Sequence, residues 1–173
     1  AFSVGIDITE RNKAEESLRD AESKYRNIFE NTVEGIFQTT LEGRYLRANP
    51  ALANIYGYGS VVELLGNLTN IQHQLYIDSG RREEFTRILQ SQDAVVGFES
   101  EIYRKDGTCI WISENARAVR DEAGTILYYE GTVRDITARK TAEAALQQAN
   151  EELEHRVARR TAALSEANNR LLQ

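Results

Sequence analysis

The sequence predicts an α+β domain held between two helical segments, and three observations carry that expectation. From Gly35 to Thr137, short apolar stretches alternate with glycine-marked turns, the punctuation of strands mixed with short helices. On either side the chain is charged, proline-free and helical in composition. Third, Asp7-Ile8-Thr9-Glu10-Arg11 recurs as Asp135-Ile136-Thr137-Ala138-Arg139, 128 positions on. The match continues through Ala14-Glu15 with Ala142-Glu143, Leu18 with Leu146 and Ala21 with Ala149. Eight of the fifteen positions from Asp7 to Ala21 are identical at that offset. A repeat in this register sets the first residues at the end of one module and Thr137 at the same point of the next. The expected organisation is the tail of a preceding module at 1–9, a helical linker at 10–32, a domain at 33–137 and a second helix at 138–173. A tandem array follows, and with no initiator Met the chain reads as a piece of a longer protein.

Each element has its own local reason. From Glu10 to about Asn31, Leu18, Ala21, Tyr25, Ile28 and Phe29 recur at helical steps, with Thr9 as the expected N-cap and Glu10 in the first turn. Gly35–Thr40 and Arg44–Arg47 read as strands around a turn at Glu42-Gly43. Pro50 opens a short helix over Ala51–Tyr56, and Ser60 caps another over Val61–Leu65. Arg81–Leu89 is a longer helix presenting Phe85, Ile88 and Leu89 on one face. Three strands, Val96–Arg104, Cys109–Val119 and Ile126–Asp135, close the domain around turns at Asp106-Gly107 and Asp121–Gly124.

The segment from Ala138 to Leu172 contains neither glycine nor proline. As one helix it would extend roughly 50 Å at 1.5 Å per residue. With Leu146 at heptad position d, Leu153, Arg160 and Ala167 share d, while Asn150, Val157, Leu164 and Leu171 fall at a. That is a coiled-coil seam, imperfect at Arg160, with Asn150 where a polar residue sets register. The predicted dimer seam is therefore Leu146, Asn150, Leu153, Val157, Leu164 and Leu171; the plainer alternative is a helix packed on its own domain.

Composition excludes several classes. The 173 residues carry a net charge of −6, without the basic footprint of a general nucleic-acid binder. No apolar run approaches the roughly 20 residues of a membrane span, and no secretory signal opens the chain. A single cysteine, Cys109, rules out an internal disulfide and fits a reducing, cytoplasmic setting.

Several stretches resemble the PAS family. Tyr103-Arg104-Lys105-Asp106-Gly107-Thr108-Cys109-Ile110-Trp111-Ile112 is similar to its strand–turn–strand, and Val119–Gly124 to its next turn. Gly131-Thr132-Val133-Arg134-Asp135-Ile136-Thr137 resembles the end of its last strand and the exit motif. Ala48-Asn49-Pro50-Ala51 and Tyr56-Gly57-Tyr58 sit where the family has its first core helix. The segment Leu153–Val157, Arg160–Leu164 and Ala167-Asn168 is similar to linkers that lead into histidine-kinase or diguanylate cyclase domains.

The resemblance implies a PAS fold: a five-stranded antiparallel sheet with short helices on one face, flanked by an N-terminal helix and a long C-terminal coiled-coil helix. It also implies a cup for a small ligand, with occupancy reported through the flanking helices. Asp135, Ile136 and Thr137 would form the signal relay. Asp135 and Thr137 can bond locally to backbone where strand meets helix, and Thr137 can cap. Residues on elements lining the cup are Phe37, Ile55, Tyr56, Leu64, Leu75, Phe85, Ile88, Phe98, Trp111 and Tyr129. The same residues also describe a plain core, the commoner case.

Catalytic and cofactor signals are weak. Cys109 lies in an expected strand, and the asparagine-cysteine-arginine motif of flavin-binding relatives is absent, so it reads as a packed or edge cysteine. His73 precedes the helix that carries the haem ligand in oxygen-sensing relatives and reads as a surface residue. His155 is followed by Arg156-Val157 rather than by the acidic residue of a phosphoacceptor, and reads as a solvated helix position. One cysteine and two distant histidines give no metal-ligand spacing, and Glu99, Glu101, Glu83 and Glu84 read as solvated faces. No haem, flavin or metal is expected; a small ligand of unknown identity is left open.

The expectation is a regulatory, non-catalytic module of a bacterial histidine kinase in a two-component system. It would be a homodimer through its flanking helices, with an upstream PAS module and a downstream output domain in the same chain, and no contact with nucleic acid or membrane. A ligand-free dimerising spacer, or a diguanylate cyclase output, are the alternatives.

Overall fold

The computed structural model describes residues 3–171, with side chains from Glu10 onward except those of Asn169 and Leu171. The chain divides into two units, 1–135 and 136–173. In the first, α1 (Ser3–Asn31) leads into β1 (Gly35–Thr39) and β2 (Tyr45–Ala48). Four helices follow: α2 (Pro50–Ile55), α3 (Val61–Asn67), α4 (Ile71–Gln74) and α5 (Ser79–Gln92). Then come β3 (Ala94–Tyr103), β4 (Cys109–Arg120) and β5 (Ile126–Asp135). The second unit is α6 (Thr137–Leu171). No helix among the described residues is long and apolar enough to cross a membrane.

The strands form one antiparallel sheet in the order β2-β1-β5-β4-β3. This is the PAS arrangement that the sequence resemblance implies. Alternation sets the faces: on β4, Ile110, Ile112, Glu114 and Ala116 are buried, while Asn115 and Arg117 are exposed. The helices between β2 and β3 bring Leu52, Tyr56, Leu64, Leu75, Phe85 and Leu89 onto that inner face to close the core.

Local capping explains the helix starts. Asn49 and Ser60 accept from the backbone N–H of Leu52 and Glu63, and Pro50 fills the first turn of α2. Asp78 caps α5, which ends at Asp93 in the left-handed region, φ 62°. The helix α4 is unexpected. Asn70 caps it by accepting from His73 N, a four-residue turn too short for periodicity to reveal.

Most boundaries shift by one to three residues from expectation, and the starts of α1 and β3 are instructive. The helix α1 already runs from Ser3, so Thr9 lies within it and is not its N-cap. The equivalent residues Val133–Asp135 are held extended because β5 pairs with β1 and β4; among the described residues, 4–9 have no strand partner. The strand β3 begins at Ala94, two residues early, because its register shifts between Val95 and Phe98. Gly97, at φ 65°, donates its N–H to Asn115 Oδ1 at 2.8 Å there. This bulge turns Val96 outward to 85% exposure and hides the strand's start from alternation.

In α6 the seam residues Leu146, Asn150, Leu153, Val157 and Leu164 are all exposed, as are Arg160 and Ala167. The side chain of Leu171 lies outside the described residues.

Candidate ligand site in the domain interior

Of the ten residues expected to line a cup, Phe37, Tyr56, Leu64, Leu75, Phe85, Phe98 and Tyr129 are buried together in the core, and Ile55 and Ile88 pack against it half-buried. Trp111 does not join them. Its neighbours Ile110 and Ile112 take the inner face of β4, so strand alternation sends Trp111 to the opposite face, half-buried and beside Ile77, Arg81 and Glu101.

The interior also holds a group of polar side chains that the sequence expectation omitted. Glu114 is 3% exposed and Arg82 5% exposed. Tyr76 OH donates to Glu114 Oε2 at 2.5 Å, and Tyr45 OH donates to Tyr56 OH at 3.2 Å. Arg82 Nη2, Ser100 Oγ, Thr39 Oγ1 and Tyr129 OH are buried with no hydrogen-bond partner. Native interiors leave few polar atoms unpaired, and these four belong to one domain interior. Glu114 had a signal: it continues the inward series Ile110, Ile112 along β4. Arg82 had one too, since it stands three residues before Phe85 on the face of α5 that points inward.

Burial raises the Glu114 carboxyl above the usual carboxylate range, against the lowering pull of the Tyr76 hydrogen bond and of Arg82. Burial likewise pushes the Tyr56 and Tyr76 hydroxyls well up. A raised folded-state value for an acid stabilises the fold below the ordinary carboxyl range, and that contribution is lost as pH rises through the folded value. Glu114→Gln is therefore expected to lose stability less steeply than the wild type between pH 5 and 8. Urea midpoints measured across that window test it; parallel pH profiles would show that Glu114 is ionised at no cost in the folded protein.

The exit of β5 is tied down within the first unit. Arg104 reaches from the β3–β4 turn, donating Nε to Ile55 O at 2.9 Å and Nη2 to Asp135 Oδ2 at 3.0 Å. Lys105 N donates to Tyr56 O at 3.0 Å, and the Lys105 ammonium pairs with Glu63. Asp135 thus engages the Arg104 side chain, a partner drawn from another turn that local sequence did not indicate. Thr137 is the first residue of α6, and its carbonyl accepts from Thr141 Oγ1 at 2.9 Å. Cys109 and His73 are exposed, and His155 is exposed on α6. Among the described residues no three His, Cys, Asp or Glu side chains gather as a metal site.

Comparison with known proteins agrees with this architecture. Sensor histidine kinase TmoS of Ectopseudomonas mendocina is 31% identical over 155 residues, covering 84% of this chain and 15% of that protein. The probable diguanylate cyclase DgcE of Escherichia coli (strain K12) is 26% identical over 141 residues, covering 81% of this chain and 12% of that one. The chain thus spans a small part of these relatives. The crystal structure of a PAS domain from Colwellia psychrerythraea superposes with a TM-score of 0.58 at 24% identity, over 68% of this chain and 98% of its own. The PAS domain family model matches residues 33–138, more than half of the chain. With five antiparallel strands, helices on one face and this match over the whole sheet, the chain belongs to the PAS domain family of sensory modules.

Proposed function

We propose that this chain is a ligand-responsive sensory module of a larger cytoplasmic signalling protein, with an output domain of the histidine-kinase type. The observation that carries the reading is the buried group of Glu114, Arg82 and tyrosine hydroxyls, with four polar atoms left unpaired. A spacer needs only an apolar core, and unpaired buried polar atoms lower its stability. The kinase output is favoured by the 31% identical relative named a sensor histidine kinase; the relative named a diguanylate cyclase supports the second output. The repeat of Asp7–Arg11 at Asp135–Arg139 supports an upstream PAS module.

In this reading the module works as a parallel homodimer. α6 exposes its apolar seam, and α1 exposes Leu18, Tyr25 and Ile28. Water is a poor solvent for such stripes, and a second copy with the same heptads would cover them. The relay runs from the sheet through Asp135-Ile136-Thr137, with Arg104 coupling the end of β5 to α2. Native mass spectrometry of the purified chain tests the sensory reading. A dimer that releases a stoichiometric small molecule on denaturation is expected; a dimer with nothing bound would favour the spacer. Val157→Asp, which puts a charge at the centre of the seam, is expected to raise the dimer dissociation constant at least about tenfold. Sedimentation equilibrium measures it, and an unchanged constant would remove the coiled coil.

A further inference from the structure

We propose that the cleft between the β1–β2 turn and α5 admits a small organic carboxylate whose charged group is taken by Arg82. This rests on the ligand-binding reading above and names the ligand's class. The cleft has a volume of about 330 Å³, and its walls include Glu42 and Gly43 of the turn and Arg82, Glu83, Thr86 and Arg87 of α5. Arg82 is 5% exposed, and its Nη2 has no acceptor. Gly43, at φ 82°, covers the guanidinium with bare backbone. A Cβ there would stand 3.7 Å from Arg82 Nη2 and 3.7 Å from Ile71 Cβ. With no side chain on Gly43, the wall over Arg82 is a single layer of backbone, held by its N–H on Thr40 O and its carbonyl on Ile71 N, both at 3.2 Å.

The unmet chemistry specifies the class. Of the four unpaired atoms Arg82 Nη2 can only donate, whereas the Ser100, Thr39 and Tyr129 hydroxyls can donate or accept, so the unmet group that demands an acceptor is the guanidinium. Arg82 Nη2 makes no hydrogen bond to Glu114, whose Oε2 accepts from the Tyr76 hydroxyl at 2.5 Å. A carboxylate offers two acceptor oxygens and a charge in the plane that matches a guanidinium fork. The surroundings limit the rest of the molecule. Arg82 Cζ lies 5.1 Å from the Phe85 ring centroid, and the Phe85 and Phe98 rings pack edge-on at 5.3 Å. A short apolar body suits that wall, and a fully hydrated inorganic anion does not.

The test is a titration of the isotope-labelled full chain, followed by NMR, with butyrate, its neutral counterpart butyramide, and inorganic phosphate. Butyrate is expected to give saturable shifts at Gly43, Arg82 and Thr86, with an affinity at least about tenfold above butyramide's. Arg82→Gln is expected to abolish that preference. Arg82→Lys, which keeps the charge and loses the fork, is expected to weaken butyrate binding while the fold is retained. Equal affinity for butyrate and butyramide, tighter binding of phosphate, unchanged affinity in both variants, or no shift at these residues would each overturn the proposal. If the mass spectrometry above then releases a molecule of another class, the carboxylate alone is lost. If it releases nothing, the sensory reading is lost with it.

Discussion

Asn49→Ala is expected to cost about 4 kcal/mol of folding stability, a large part of the 5–15 kcal/mol that such domains have. Asn49 is fully buried and uses both ends of its amide. Its Oδ1 accepts from Ile36 N at 2.8 Å and from Leu52 N at 3.0 Å; its Nδ2 donates to Phe29 O at 3.0 Å and to Glu34 O at 2.9 Å. One side chain thus joins the end of α1, the loop after it, the start of β1 and the first turn of α2. Alanine removes the α2 cap and leaves two donors and two acceptors without their partner, the Leu52 N–H fully buried and the others half-buried, each worth up to about 1–3 kcal/mol and not additive. Asn49→Asp separates the two halves. It keeps the acceptor for Ile36 and Leu52 but sets a carboxylate oxygen against two carbonyls. Hydrogen exchange should then stay protected at Leu52 and rise at the end of α1. Urea denaturation of Asn49→Ala within 1 kcal/mol of the wild type would show that the hub is dispensable.

Gly131→Ala is expected to be comparably damaging, by about 3 kcal/mol, for a steric reason. Gly131 lies mid-strand in β5, opposite Phe37 of β1 and Ala116 of β4. A Cβ there would run into Asn115 O and stand 2.9 Å from both Cα and Cβ of Ala116. Backbone, unlike the tip of a long side chain, has nowhere to swing, so β4 and β5 would have to part at the centre of the sheet. Calorimetry should show a Tm lower by roughly 10–20 °C for a domain of this size. Because the clash opens the β4–β5 pairing, exchange should rise at Asn115–Arg117 before it rises in α5. An unchanged Tm would mean that the sheet absorbs the methyl group by twisting.

Much of the fold was legible because it rests on local chemistry. The turns at Gly43, Gly107 and Gly124 all take positive φ, between 82° and 84°, where glycine is favoured, and they fixed the strand pairs around them. Pro50 announced its helix as a first-turn residue and Ser60 announced the next as its cap. The strand Ile126–Asp135 was read to the residue. Legibility failed where the deciding neighbour was distant in sequence. Trp111, large and aromatic, reads as a lining residue from sequence, yet its position between Ile110 and Ile112 gives it the outer face. Alternation along β3 was broken by the bulge at Gly97, whose partner Asn115 is eighteen residues away.

The candidate site was half legible. Apolar residues such as Phe37, Phe85 and Tyr129 were expected inside because the hydrophobic effect puts them there whatever the fold. Arg82 and Glu114 carry no such expectation, because charged residues are almost never fully buried without a partner. The sequence by itself determined the order of the strands along the chain, the turns and the repeat, since each follows from backbone preference and periodicity over a few residues, and its motifs carried the resemblance to the PAS family. Only the tertiary structure decided that Arg82, Glu114, Tyr76, Tyr45 and Tyr56 share one interior, that Arg104 meets Asp135, and that Asn49 joins four segments. Those outcomes depend on which strand lies beside which, a matter of long-range packing that no window of neighbouring residues contains.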